Sequence, residues 1–247
     1  MNTFLFGVFP YIALAVFVVG MIWRYRYDKF GWTTRSSQLY ESRLLKIGAP
    51  LFHYGILLAV VGHAMGLIIP QSWTDLVISR DAYHWIAVAG GVTAGIMVTV
   101  GFIILVIRRR TVKTVFNATT VNDKVMFLVL GLTIFFGMWN TISTAFSHAY
   151  NYREGVSPWF RSIFTFQPNV EAMANAPFQF QAHAVTAFLL ILILPFTRLV
   201  HMFSAPVFYL SRPYIVFRSR GDSGTKYNPS AHAPKDTWKS PTAAKRG

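Results

Sequence analysis

The side chains in this sequence best placed to do chemistry are four histidines, set two by two in apolar stretches. LFHYGILLAVVGHAMGLII carries His53 and His63, and AHAVTAFLLILILPFTRLVH carries His183 and His201. A polar, ionisable side chain is costly in hydrocarbon and persists where it faces a partner or a cofactor, and a neutral imidazole is a good axial ligand for haem iron. A lone intramembrane histidine is as readily a hydrogen bonder between helices. Four at matching depths instead point to two membrane helices holding two haems between them, each iron bound by two imidazoles and left with no open position.

Helix geometry pairs them. At a rise of ~1.5 Å per residue, the ten steps from His53 to His63 span ~15 Å and the eighteen from His183 to His201 span ~27 Å. Both fit within a hydrocarbon core of ~30 Å. Antiparallel helices then pair His53 with His201 and His63 with His183. The mean of the two spans sets the irons ~21 Å apart along the membrane normal.

The elements that must hold these residues are membrane helices. The chain is 53% hydrophobic and 13% charged, with a mean hydropathy of +0.41, whereas soluble domains carry about 25% charged residues. The reading is an all-α integral membrane bundle of five spans, at about 4–23, 47–69, 84–107, 125–147 and 181–203. The absence of cysteine rules out disulfides, thiolate-bound or thioether-linked haem, and any iron–sulfur cluster held by this chain alone. Any haem is therefore held without a covalent thioether link, as a b-type haem is. The net charge of +14 does not mark a nucleic-acid surface, because the basic residues flank apolar spans.

Residues 24–46, 108–124 and 198 onward hold 20 of the 23 Lys and Arg residues. The positive-inside rule puts these segments in the cytoplasm, giving an outer N-terminus and an inner C-terminus. His53 and His201 then form the inner site, and His63 and His183 the outer one. The basic residues of the first span follow it, so it is expected to remain as a span rather than to be cleaved as a signal peptide.

Other residues have specific expectations. Arg198, one turn from His201, suits bidentate pairing with a haem propionate, whereas Arg108, Arg109 and Arg110 read as interfacial anchors. His84, at the outer start of the third span, is placed to accept a proton from a quinol. His148 and Asp81 are weaker candidates on the same side. Gly55, Gly62 and Gly66 interrupt the second span, where glycine lets either a flat macrocycle or another helix approach the backbone; Gly62 and Gly66 also have the spacing of a helix-packing motif. Ser157–Pro158 resembles a cap and first turn of a short interfacial helix around Trp159, Phe160, Ile163 and Phe164. Those aromatics fit either the headgroup boundary or one wall of a quinone pocket. Residues 221–247 read as a basic, disordered cytoplasmic tail, with His232 solvated in it.

At LFHYGILLAVVGHAMGLIIP and LPFTRLVHMFSAPVFYL, together with PYIALAVFVVG and RSSQ at 35–38, the chain resembles the cytochrome b (gamma) subunit of membrane-bound respiratory nitrate reductases over roughly residues 1–220. The resemblance implies a multi-pass subunit of the bacterial cytoplasmic membrane carrying two b haems. His53 and His201 match that family's cytoplasm-proximal haem, and His63 and His183 the distal one. It further implies oxidation of quinol, with menaquinol expected, near the outer face. Electrons would pass inward to an iron–sulfur (beta) subunit and on to a molybdenum-containing (alpha) subunit that reduces nitrate. The chain departs from the family at the distal quinol site, where a lysine is expected and no lysine lies between Lys46 and Lys113. His84 is the substitute this sequence offers. Two rivals fit the residues alone: a dihaem subunit serving another cytoplasmic reductase, and a haem-free transporter or scaffold.

Overall fold

A computed structural model of the chain describes residues 1–28, 37, 40–146 and 150–203. His148 and the tail beyond residue 220 lie outside the described residues, as does most of the RSSQ segment. All secondary structure among the described residues is helical. Among the described residues, five stretches are long and apolar enough to cross a membrane: Thr3–Tyr27, Arg43–Ile68, Arg80–Thr111, Val121–Phe146 and Phe178–Phe196.

The first comprises π-wound turns, Thr3–Val8, and α1 (Phe9–Tyr27), whose last turn carries Arg24 and Arg26 at the negative end of the helix dipole. The second is α2 (Arg43–His63), continued by a π-wound segment, Ala64–Ile68. A short α3 (Gln71–Thr74) leads to α4 (Arg80–Thr111), capped by Ser79, whose hydroxyl accepts the Ala82 N–H at 3.3 Å. Asp81 is thus the acidic residue of a capped first turn, where the dipole favours it. A brief α5 (Lys113–Asn117) precedes α6 (Val121–Phe146), which begins with a reciprocal cap: Asp123 N–H donates to Thr120 Oγ1, and Thr120 N–H donates to Asp123 Oδ2. Two short helices, α7 (Val156–Phe164) and α8 (Val170–Ala174), lead into α9 (Phe178–Ile193).

Helices α2 and α4 pack at backbone range. A Cβ at Gly55 would fall 2.8 Å from the Val98 backbone nitrogen, and one at Gly101 would fall 2.6 Å from the Phe52 nitrogen. Without a hydrophobic drive between helices in lipid, such small-residue contacts gain van der Waals energy through close approach. The packing glycines are Gly48, Gly55 and Gly101. Gly62 has open space on its Cβ side and Gly66 faces Tyr152, so the Gly62/Gly66 spacing does not mark a helix–helix contact here.

The short α7 helix forms where expected and its Phe160 lines an apolar pocket, but its cap and its tryptophan differ from expectation. Its cap position is Gly155, and Ser157 lies inside the helix, fully buried, with its hydroxyl donating to the Gly66 carbonyl at 2.8 Å. Trp159 is 2% exposed and belongs to the core with Phe6, Ala13, Ile163, Met173 and Phe188. Its indole N–H donates to the Phe6 carbonyl at 2.8 Å, which satisfies the one polar atom of a buried tryptophan. Phe164 remains exposed.

The cytoplasm-assigned end of α4 also differs from a simple anchor. Arg108 is 2% exposed, and its guanidinium donates to Glu41 Oε2 (2.6 Å), Ser37 Oγ (2.8 Å) and the Ser37 and Glu41 carbonyls. Burial pushes the Glu41 carboxyl up, yet the Leu44 N–H and the Arg108 guanidinium outweigh it and hold the group below its usual value. A depressed carboxylate stabilises the fold above its unfolded pKa, so this anchor loosens only as pH falls through the lowered value.

Candidate functional site: two facing histidine pairs

The four histidines come together in twos. The His53 and His201 rings have centroids 5.9 Å apart at an interplanar angle of 65°, and the His63 and His183 rings lie 6.0 Å apart at 31°. Among the described residues, no group of three or more His, Asp or Glu side chains converges on a metal-sized site.

Each ring is oriented by a backbone carbonyl at Nδ1. His53 bonds Ala49 O at 2.7 Å, His63 bonds Ala59 O at 2.6 Å, His201 bonds Arg198 O at 2.6 Å, and His183 bonds Thr133 O at 3.0 Å. A carbonyl can only accept, so Nδ1 carries the proton in all four and the lone pair sits on Nε2. That tautomer and second contact are what a metal-ligating imidazole requires. Iron about 2.0 Å from each Nε2 would put the two ring centroids roughly 6 Å apart, on the usual metal–imidazole bond length. The donor set and both separations fit bis-imidazole haem.

The elements that carry the rings differ. His53 and His63 sit ten residues apart on the continuous α2. The last span is not continuous: α9 stops at Ile193, a 3₁₀ turn covers Leu194–Phe196, Thr197 is extended, and a second 3₁₀ turn covers Arg198–Met202. Pro195 explains the break, because it lacks an N–H for the carbonyl four residues back and its ring crowds that carbonyl. The eighteen-step helical arithmetic between His183 and His201 therefore does not hold, and neither does the ~21 Å estimate built on it.

The turn carrying His201 is fastened to α6. Arg198 grips Asp123 in bidentate fashion, Nε to Oδ1 at 2.5 Å and an Nη to Oδ2 at 2.8 Å, and also bonds the Ala118 carbonyl. The sequence reading set this guanidinium against a haem propionate; its Nε and one Nη are engaged by a carboxylate 75 residues away in sequence. Asn122 adds a side-chain bond to the Phe196 carbonyl, and Arg24 donates to the Pro195 carbonyl at 2.7 Å. Since Asp123 is 4% exposed, Asp123→Asn should cost about 3 kcal/mol, as expected for an unbalanced buried charge. Thermal unfolding in detergent should show the loss. An unchanged midpoint would show that Arg198 does not hold the turn.

Beyond His63, the π-wound end of α2 leaves carbonyls that side chains must satisfy. Ser157 takes Gly66 O, Arg161 takes Leu67 O at 3.0 Å, and Arg153 takes Ile69 O at 3.1 Å. These two arginines are the positive charges of the 148–180 connection, and the sequence reading assigned them no role. Arg153 also donates to Thr74 and lies over the Tyr83 ring at 4.1 Å. Burial pushes the Tyr152 phenol, which packs on Gly66, up to about 12, so it stays protonated at neutral pH.

Beside His63 lies a cavity of about 340 Å³, lined by apolar atoms of Ile56, Val60, Leu67, Ile68 and Phe160. His84 is half-buried at the start of α4, edge-on to Trp85, and does not line that cavity.

The fold and site define a polytopic helical membrane protein with two facing imidazole pairs. The chain belongs to the nitrate reductase gamma subunit family, matching it over residues 2–220. It is 41% identical over 217 residues to the nitrate reductase gamma chain of Bacillus subtilis, covering 87% of this chain and 97% of that one. With the respiratory nitrate reductase 1 gamma chain of Escherichia coli it shares 30% identity over 226 residues, 89% of this chain and 98% of that one. With the nitrate reductase-like protein NarX of Mycobacterium tuberculosis it shares 55% identity over 223 residues, 89% of this chain. The chain spans about a third of that longer relative, 34% of its length.

Proposed function

We propose that this chain is the dihaem cytochrome b subunit of a respiratory nitrate reductase in a bacterial cytoplasmic membrane. In this reading it takes electrons from quinol near the outer face and serves iron–sulfur and molybdenum-containing subunits on the cytoplasmic side. The observation that carries the proposal is the pair of facing imidazole couples, each ring holding its Nδ1 proton on a carbonyl, in a chain of the gamma family. His53 with His201 would hold the inner haem, and His63 with His183 the outer one. When bound, such haems supply one-electron transfer between a two-electron quinol and one-electron carriers.

The chain's own residues do the rest. Helix α2 fixes two ligands at a set spacing, and the carbonyl bonds hold all four rings in the ligating tautomer. The apolar cavity beside His63 has the character of a pocket for a lipid-soluble quinol. His84 is proposed to receive a proton from the quinol hydroxyl as electrons leave. With an outer N-terminus, that proton is released outside, while nitrate reduction consumes protons inside.

Three measurements test this. A pyridine haemochrome assay on the purified protein should give two b haems per chain; none would leave a haem-free scaffold. The subunits that co-purify should include an iron–sulfur and a molybdenum protein, and a different partner set would assign the chain to another reductase. His84→Ala should keep both haems and lower quinol turnover by about 100-fold, the usual worth of a positioned proton acceptor. Turnover unchanged across the pH range would make His84 an interfacial side chain only.

A further inference from the structure

Three of the four histidines take their Nδ1 carbonyl from their own segment. His53 and His63 bond the residue four back, and His201 the residue three back. His183 does not. Its carbonyl is Thr133 O, fifty residues away on α6. Beside that contact on the same helix, Gly137 faces the ring: a Cβ there would lie 3.0 Å from His183 Cε1 and 3.4 Å from Nδ1. Cε1 adjoins Nε2, the atom left to ligate. The Gly137 carbonyl is meanwhile held by Thr141 Oγ1 at 3.0 Å.

From this we infer that α6, which supplies no ligand, sets the rotation of the His183 imidazole. The Thr133 carbonyl pulls on one edge of the ring, and Gly137 leaves the space the other edge needs. Ring orientation matters because the angle between two axial imidazoles governs how their π orbitals overlap the iron d orbitals. That overlap fixes the anisotropy of a low-spin ferric centre and contributes to its potential, a lever of the surrounding protein on the metal. The outer pair, at 31°, is closer to parallel than the inner pair, at 65°. Gly137 and Thr133 are thus positioning residues for the outer site. The inference rests on the proposed haem ligation by His183.

Gly137→Ala places a methyl group where the ring must give by a few tenths of an ångström. The test uses the intact, detergent-extracted complex and reads haem content, low-spin ferric EPR and optical redox titration. The expected result is two haems retained, with one EPR g-value peak displaced and the midpoint of that same haem shifted, while the other haem superimposes on wild type. Gly131→Ala, also on α6, is the control: its Cβ would meet Phe102 of α4 at 3.2 Å and no atom of His183 within 4 Å. It should displace neither signal. Two haems with both signals unchanged in Gly137→Ala would overturn the inference, as would an equal shift in Gly131→Ala. Haem absent from wild type would instead sink the proposed function. Should Gly137→Ala fail to accumulate, it is combined with His183→Gly. Accumulation of the double variant equal to that of His183→Gly alone would place the clash on the His183 ring as inferred, and accumulation below it would overturn the inference.

Discussion

His201→Leu should leave the protein with one haem of two. Leucine removes one of the two nitrogen donors of the inner pair and cannot replace it, while His63 and His183 keep their carbonyl bonds to Ala59 and Thr133. Pyridine haemochrome content should fall to half, and the remaining spectrum should be that of a bis-imidazole centre. Quinol should still develop the reduced spectrum of that haem, and nitrate should fail to discharge it. His183→Leu should give the converse, half the haem and no reduction by quinol. If nitrate rapidly discharged the haem left in His201→Leu, the inward order of the two sites would be wrong. The break at Thr197 makes His201 the better choice for this experiment, since its 3₁₀ turn is separate from α9 and the change is not transmitted along a continuous helix.

Gly101→Val should be the most damaging single change in the bundle that touches no histidine. A Cβ at Gly101 falls 2.6 Å from the backbone nitrogen and 2.8 Å from the Cα of Phe52. Overpacking usually costs about 1–3 kcal/mol because side chains can shift. Here the obstruction is backbone, so α2 and α4 must separate, and Phe52 is the neighbour of His53. The expected outcome is poor accumulation in the membrane and loss of the inner haem from whatever protein survives. Gly90→Ala, on the same α4 helix as Gly101 but with open space on its Cβ side, should stay within about 0.5 kcal/mol of wild type. Equal accumulation of both variants would show that the α2–α4 approach does not support the fold.

The five spans and the histidine pairing could be read from the sequence because hydrocarbon makes its demands residue by residue: length, hydropathy and the placement of costly side chains are all local quantities. The contacts that aim those side chains could not. Gly62 and Gly66 carry the familiar spacing, yet Gly48, Gly55 and Gly101 make the helix contact, because spacing does not say which face of a helix meets a neighbour. Thr133 acts through its carbonyl, which every residue has, so no residue type could announce it. Arg198 stood out in the sequence and Asp123 did not, because pairing them needs the fold to bring α6 against the last span. The break before His201 did have a signal, Pro195, which the even helical spacing obscured.

The two sides of the site differ in their tolerance of rotational register. On α2, His53 and His63 are joined by ten residues of unbroken helix, so one residue added between them would swing the second ring by about 100° and displace it along the axis. On the last span, the extended Thr197 separates the segments of His183 and His201, and each is pinned to α6 by its own bond. A length change near Thr197 can therefore be taken up in backbone torsions without turning either ring. Half of the site is a ruler, and the other half is a joint.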